Sequence, residues 1–394
     1  MTTARCRTFT AGSLLLFAGT SAALAQTSYT VRAENSMAIT RTDETLALKW
    51  SDVRTRLASA SPAAVRVRDA ASGREIPAQA VDNDGDGATD ELIFQGTFAP
   101  GETKRFIIEA AAPTAKFPQR VYVSHQDPRD DVAWESDRIA YRIYGQGLWK
   151  VDSLLSSGVD VWVKRVRDPI VEKWYAKGHD LYHRDTGEGA DFYDVGQTLG
   201  AGGTGIWKDG KLYRAWNFKS WKIIANGPVR AIFELQYQPW EAGGSKVIET
   251  KRVSLDAGHN LNHVVSIFKS DAGGDLVWVT GMNKRKGIIG LESKAQPWAW
   301  LTAWGPLLPK DGGHGELGTA VLLPRDQIAD WKETDEHYMA LSRAKSGDPV
   351  SYWIGAGWTD SGDYRDVKDW YTYLDQWAQR LSNPIKLQIE AGGK

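Results

Sequence analysis

Alternation of apolar with polar residues at a period of two recurs along this chain, and that period belongs to strands. Ile139, Tyr141 and Ile143 alternate with Arg138, Ala140 and Arg142. Val229, Ala231, Phe233, Leu235 and Tyr237 share one face of a second run, and Leu261, His263, Val265 and Ile267 one face of a third. Turn signals separate such runs: Lys208-Asp209-Gly210-Lys211, Asn226-Gly227-Pro228, Asp256-Ala257-Gly258 and Asp271-Ala272-Gly273-Gly274. Many strands joined by short turns predict a sandwich or barrel. One helix is expected near the end, where Val367, Trp370, Tyr371, Leu374, Trp377 and Leu381 fall at helical spacing and Asn383-Pro384 stops it. Ile385, Leu387 and Ile389 then alternate as a last strand, and the helix should pack its aromatics on a sheet face.

The first residues have the form of an export signal. Arg5 and Arg7 give a basic start, Ala11 to Ala23 is apolar but too short to anchor in a bilayer, and Ala23-Leu24-Ala25 is a small-x-small cleavage site. Residues 1–25 are therefore expected to be removed, and with them Cys6, so the mature chain would have neither disulfide nor thiol chemistry. With no later segment apolar enough to cross a membrane, no membrane anchor is expected, and the location would be periplasmic or secreted. The break in strand pattern from Ala110 to Gln119 places a boundary there, giving a small β domain over 26–113 and a large one over 114–394. A net charge of −1 gives no reason to expect a nucleic-acid partner. The 18 tryptophans and 14 tyrosines point instead to sugar, whose rings present C–H faces rimmed by hydroxyls.

Ionisable residues crowd one stretch. His183, Arg184, Asp185, Glu188, Asp191, Tyr193 and Asp194 lie within a dozen positions, interrupted by Gly187 and Gly189 and followed by the glycine-rich Gly200 to Gly205. A loop of this kind is a favoured place for chemistry, because glycines let backbone approach a ligand. A solvated acidic turn is the plainer alternative. A second stretch, Asp82 to Glu91, resembles the first half of a calcium loop. Asp82, Asp84, Asp86 and Asp90 take ligand positions, Gly87 takes the sharp turn, and Ile93 stands where a bidentate glutamate would be. A weak structural calcium site and an acidic hairpin turn are both open. His259 and His263 are weak candidates. The zinc-protease helix, the hydrolase elbow and the phosphate loop are all missing. Arg129 to Arg138 and Gly312 to Glu316 read as solvated polar turns.

Three blocks resemble the family of the domain of unknown function 4861. They are Trp134-Glu135-Ser136-Asp137-Arg138-Ile139-Ala140-Tyr141-Arg142, the pattern from Tyr182-His183 through Gly187-Glu188-Gly189 to Val195-Gly196, and Gly227-Pro228-Val229-Arg230. The resemblance covers nearly the whole mature chain, with Ser136 departing from the asparagine of the family pattern. It implies a galactose-mutarotase-like β-supersandwich, a setting in Gram-negative glycan degradation, and relatives that include a dehydratase acting on the terminal uronic acid of ulvan oligosaccharides. The expectation that follows is a carbon–oxygen lyase for acidic oligosaccharides. Such an enzyme removes the C5 proton, α to a carboxylate, and so needs a base, an acid at the C4 oxygen and a cation for the carboxylate. His183 is the expected base and Tyr193 the acid or alternative base. Arg184 or Arg138 would hold the carboxylate. Asp185, Glu188 and Asp191 would orient these groups or bind a divalent metal, while Trp134, Trp207, Tyr141, His125 and His314 would contact sugar. The alternatives are a glycoside hydrolase using Glu188 and Asp191 as paired carboxylates, an epimerase, and a glycan-binding protein without catalysis.

Overall fold

The computed structural model describes residues 1–2, 26–151, 154–293, 297–307 and 313–390. The export signal, Cys6 and the start of the Gly312 turn fall outside the described residues. The chain is mainly β, as expected, and forms a β-supersandwich with one long C-terminal helix. No helix among the described residues is long and apolar enough to cross a membrane.

A nine-stranded antiparallel sheet, running from Phe218–Asn226 at one edge to Ile289–Glu292 at the other, is the centre of the molecule. One of its faces packs on two five-stranded sheets. The first orders its strands Gly189–Ala190, Asp160–Lys164, Ile139–Tyr144, Asp131–Ser136, Val121–Gln126, and the second is built around Ala201–Lys208 and Asp275–Asn283. Trp134, Tyr141, Val161, Phe233, Val264, Phe268, Trp278 and Tyr352 belong to the common core between them.

The opposite face of the large sheet carries the helix Val367–Ser382. Asp366 caps it by accepting from the amides of Lys368 and Asp369. Trp370, Leu374 and Trp377 pack on Leu261, Trp300, Trp304, Ala320 and Leu322, and Trp370 donates to the Thr302 hydroxyl at 2.8 Å. That cover explains one difference from expectation. In Leu261–Ser270 the more buried face carries Asn262, Val264, Ser266 and Phe268, and the alternation of Leu261, His263, Val265 and Ile267 marks the other side. A strand covered on both faces shows two apolar rows, so periodicity alone does not choose between them.

A smaller pair of sheets precedes this assembly. Ser28–Glu34 pairs with Thr103–Glu109 on one side and with the last strand, Lys386–Ile389, on the other. Arg41–Lys49, Glu91–Phe98 and Ala78–Val81 form the second sheet. Val81 and Ile93 dock on Val229 and Ile232 of the large sheet, and the Gln95 amide donates to the carbonyl of Ala257 at 2.8 Å.

Candidate functional site

The outer face of the sheet that contains Ile139–Tyr144 is unusually charged for a buried surface. Asp131, Glu135, Arg142, Asp160 and Lys164 all point away from the common core, and each is at least nine-tenths buried. The helices Val171–Lys177 and His179–Tyr182 cover them, with Trp162, Trp174 and Tyr182 as the apolar contact. Glu135 fixes this cover. Its carboxylate accepts from Lys164 Nζ at 2.6 Å and from the amides of Ile170 and Val171 at 2.8 and 2.9 Å, so it holds the start of the helix against the sheet. The Arg129 to Arg138 stretch is therefore largely a buried strand, not the solvated turn its charges suggest.

Arg142 is the hub. Its Nη2 donates to Asp160 at 2.6 Å and to Asp191 at 2.9 Å, and its Nη1 donates to the Tyr182 hydroxyl at 3.1 Å. The guanidinium also lies over the rings of Tyr144 and Trp162, at 5.0 and 5.1 Å. Burial raises the pKa of Asp160 and of Asp191, and Arg142 works against that rise. Asp131, beside them, is pushed up to about 6, again by burial.

The 182–196 segment begins where this cluster meets solvent. Gly178, at φ +89, separates the two helices, and Gly189, at φ +104, is pressed so close to the Val163 carbonyl that a Cβ would collide with it. His183 has 39% of its side chain exposed. Its Nδ1 is 2.8 Å from the backbone carbonyl of Asp191. A carbonyl only accepts, so Nδ1 carries the proton of the neutral ring and Nε2 presents a lone pair. Burial lowers the pKa of His183, with the carbonyl of Asp191 opposing it, so the neutral form dominates at pH 7. The ring of His179 stands 4.8 Å away, edge-on. Histidines at these two positions share one side of a single helical turn, a spacing that the strand-based reading of the chain passes over.

The other residues of the segment separate. Asp185 pairs with Arg165 and accepts from the amides of Gly187 and Gly189, so it shapes the turn. Glu188 binds Lys173, Lys177 and the Trp174 indole, and Lys173 above all lowers its pKa. Arg184 and Asp194 are exposed. Glu188 and Asp191 thus face different partners, Glu188 the lysines of the covering helix and Asp191 the Arg142 guanidinium.

Tyr193 turns to the inner side of the sheet and is buried in the common core. Its hydroxyl donates to Asn283 Oδ1 at 2.7 Å, and the Arg285 guanidinium covers its ring at 5.1 Å. Burial raises its pKa, which overturns the expectation of an alternative base, and a hydroxyl already committed inside the core does not serve as acid to a ligand at His183. Trp134 and Tyr141 are also corrected. Both are fully buried, the Trp134 indole donating to Asn262 at 2.7 Å and the Tyr141 hydroxyl to the carbonyl of Asn260, so neither offers a face to sugar. Most of the tryptophan surplus is core. The exposed exceptions are Trp216 and Trp221, and His125 stacks on Trp221 at 4.3 Å. Arg138 pairs with Asp363 at 2.8 Å beside the C-terminal helix. Trp207 is half-buried under Lys332, and His314 stacks on Phe192 at 3.9 Å.

Carboxylates converge with metal-ligand geometry at one place among the described residues: ligand atoms of Asp82, Asp84 and Asp86 lie within 4.8 Å of one another. Asp90 is used otherwise, accepting from the amide of Asn83 at 2.6 Å. Lys222 and Arg252 donate to the carbonyls of Gly85 and Asp84, which removes two oxygens from the donor set. The donors left fit a hard cation held weakly. Asp185, Glu188 and Asp191 are each paired with a cation of the protein: Arg165, Lys173 and Arg142.

The family described as a domain of unknown function (DUF4861) matches residues 33–387. An uncharacterized protein of Formosa agariphila is 29% identical over 381 residues, which are 91% of this chain and 93% of that protein. Among solved structures, a protein in the glycosyl hydrolase family 38 from Enterococcus faecalis superposes on 93% of this chain with a TM-score of 0.48 and 9% identity. An alpha-mannosidase from Enterococcus faecalis V583 does so on 93% with a TM-score of 0.44 and 10% identity. The chain spans 48% and 46% of those two structures.

Proposed function

The chain belongs to the family of the domain of unknown function DUF4861, and from that premise we propose that it is a carbohydrate-active enzyme, an exported carbon–oxygen lyase or dehydratase acting on the terminal uronic acid of oligosaccharides. The observation that carries the reading is the fixed tautomer of His183. A half-exposed imidazole that is neutral at pH 7, with Nδ1 tied to a backbone carbonyl, is a base whose lone pair points to one place. His183 Nε2 takes the C5 proton. His179 delivers a proton to the departing oxygen at C4, and Arg184 balances the carboxylate as negative charge develops on it. The C5–H and C4–O bonds break, a C4=C5 double bond forms, and the leaving group departs with the proton it receives. Removal of residues 1–25 and release to the periplasm are part of the proposal.

Incubation with uronic-acid oligosaccharides tests it. An elimination produces a conjugated double bond that absorbs at the ultraviolet edge. Shorter sugars without that absorbance would identify a hydrolase, and binding without turnover would identify a glycan-binding protein.

Calcium at Asp82, Asp84 and Asp86 is the structural part of the proposal. Calcium at ten times its dissociation constant should add about 1.4 kcal/mol to the unfolding free energy. The gain should vanish in Asp84→Asn, as followed by thermal unfolding with calcium and with chelator. Equal midpoints in both would leave an acidic turn that binds nothing.

A further inference from the structure

A cleft of about 420 Å³ opens on the inner side of the same segment, lined by Phe192, Val195, Thr198, Arg285 and Pro306 among others. Its size lies at the small end of the range for ligand pockets, enough for one or two sugar units. We infer that this cleft binds the carboxylate of a sugar acid, with Arg285 as the receiving group.

Arg285 is held in place but not neutralised. Nη1 donates to the Pro306 carbonyl at 3.3 Å, the guanidinium lies on the Tyr193 ring, and Nη2 is buried without a hydrogen-bond partner. Among the described residues it joins no ion pair, although Lys284 beside it pairs with Glu333. The floor beneath it is rigid. Tyr193 donates to Asn283 Oδ1, and Asn283 Nδ2 donates to the carbonyl of Asp194 at 2.9 Å. Both polar ends of Asn283 are thereby used, which leaves Arg285 as the half-buried donor of the wall, beside the exposed Lys284 and Lys286. Arg214 adds positive potential at the edge. It donates to the carbonyl of Thr198 at 3.4 Å and likewise joins no ion pair among the described residues. The acidic residues of the rim, Asp194, Asp335 and Glu336, are exposed and solvated. Burial lowers the pKa of Arg285 and of Arg214, with Tyr193 and Asp194 opposing it at the first and Glu336 at the second, though among the described residues neither guanidinium has a carboxylate within ion-pair distance. A planar fork with spare N–H groups suits a carboxylate, and the apolar Phe192, Val195 and Pro306 suit the C–H face of a ring.

Calorimetric titration with glucuronate, glucose and acetate tests the inference. Glucuronate should bind at least tenfold more tightly than either glucose or acetate. Arg285→Gln should weaken glucuronate binding by about 10- to 100-fold, the loss of one charge-assisted hydrogen-bonded pair. Arg285→Lys, which keeps the charge and loses the fork, should fall between. The thermal midpoint of Arg285→Gln should stay level or rise, because the substitution removes an unpaired buried charge; a marked fall would make Arg285 structural and overturn the proposal. Equal binding of glucuronate and glucose, or glucuronate binding indifferent to Arg285, would overturn it too. Tighter binding of glucose 6-sulfate than of glucuronate would reassign the cleft from carboxylate to sulfate. The inference does not depend on catalysis at His183.

Discussion

Replacing Arg142 with methionine is expected to lower the unfolding free energy by about 3–5 kcal/mol, the cost of leaving buried charge without its partner. Asp160 and Asp191 both depend on this one guanidinium, and neither reaches solvent. The effect has a pH signature. Burial holds both carboxyls above their ordinary values, so the folded protein binds more protons than the unfolded chain across the interval between the unfolded and folded pKa. Stability associated with each group is fully present below its unfolded pKa and is lost as pH rises through its folded one. Asp131, at about 6, puts such a loss between about pH 4 and 6 in the native protein. Without Arg142 the folded values of Asp160 and Asp191 rise further. The destabilisation should therefore be clearly larger at pH 8 than at pH 5 in urea unfolding; equal losses would mean that Arg142 acts through packing on Tyr144 and Trp162.

His183→Gln should lower kcat by about 10²- to 10⁴-fold, the usual contribution of a positioned general base. Glutamine preserves a donor near the carbonyl of Asp191 but offers no basic lone pair. The thermal midpoint should move little, because the side chain is partly exposed and its anchor is backbone. The pH dependence follows from the same surroundings. Burial sets the pKa of His183 below the ordinary 6.5, so the base is already active at pH 7. The rate should fall only as pH drops through that lowered value, with the midpoint of the acid limb below 6.5. A limb centred above 6.5 would point to another base.

The helix Val367–Ser382 and the last strand were readable because one face of each is apolar and short-range signals mark their ends. The candidate site was only half readable. The residue types between His183 and Asp191 announced chemistry, but their partners did not lie in the segment. Asp191 is taken by Arg142 from two strands away, Asp185 by Arg165, and Glu188 by lysines of the helix Val171–Lys177. Glu135 looked like part of a solvated turn, because a buried carboxylate is unexpected until Lys164 and the amides of Ile170 and Val171 are seen around it. Tyr193 follows Asp191 by two positions, yet its hydroxyl is spent on Asn283 in the inner core, whereas Asp191 meets Arg142 on the outer face. Arg285 lies between two lysines in the sequence; only the folded chain shows that it is the one held half-buried, with a buried Nη2 that has no hydrogen-bond partner.

In the proposed reaction His183 removes the C5 proton of a terminal uronate. The most direct test compares ultraviolet absorbance during turnover of the same acidic oligosaccharide with hydrogen or with deuterium at C5. Absorbance should rise, more slowly with deuterium under conditions where chemistry limits the rate, and should not rise in His183→Gln. Equal rises in the wild type and His183→Gln would contradict the proposed reaction, as would cleavage to shorter sugars with no absorbance at all.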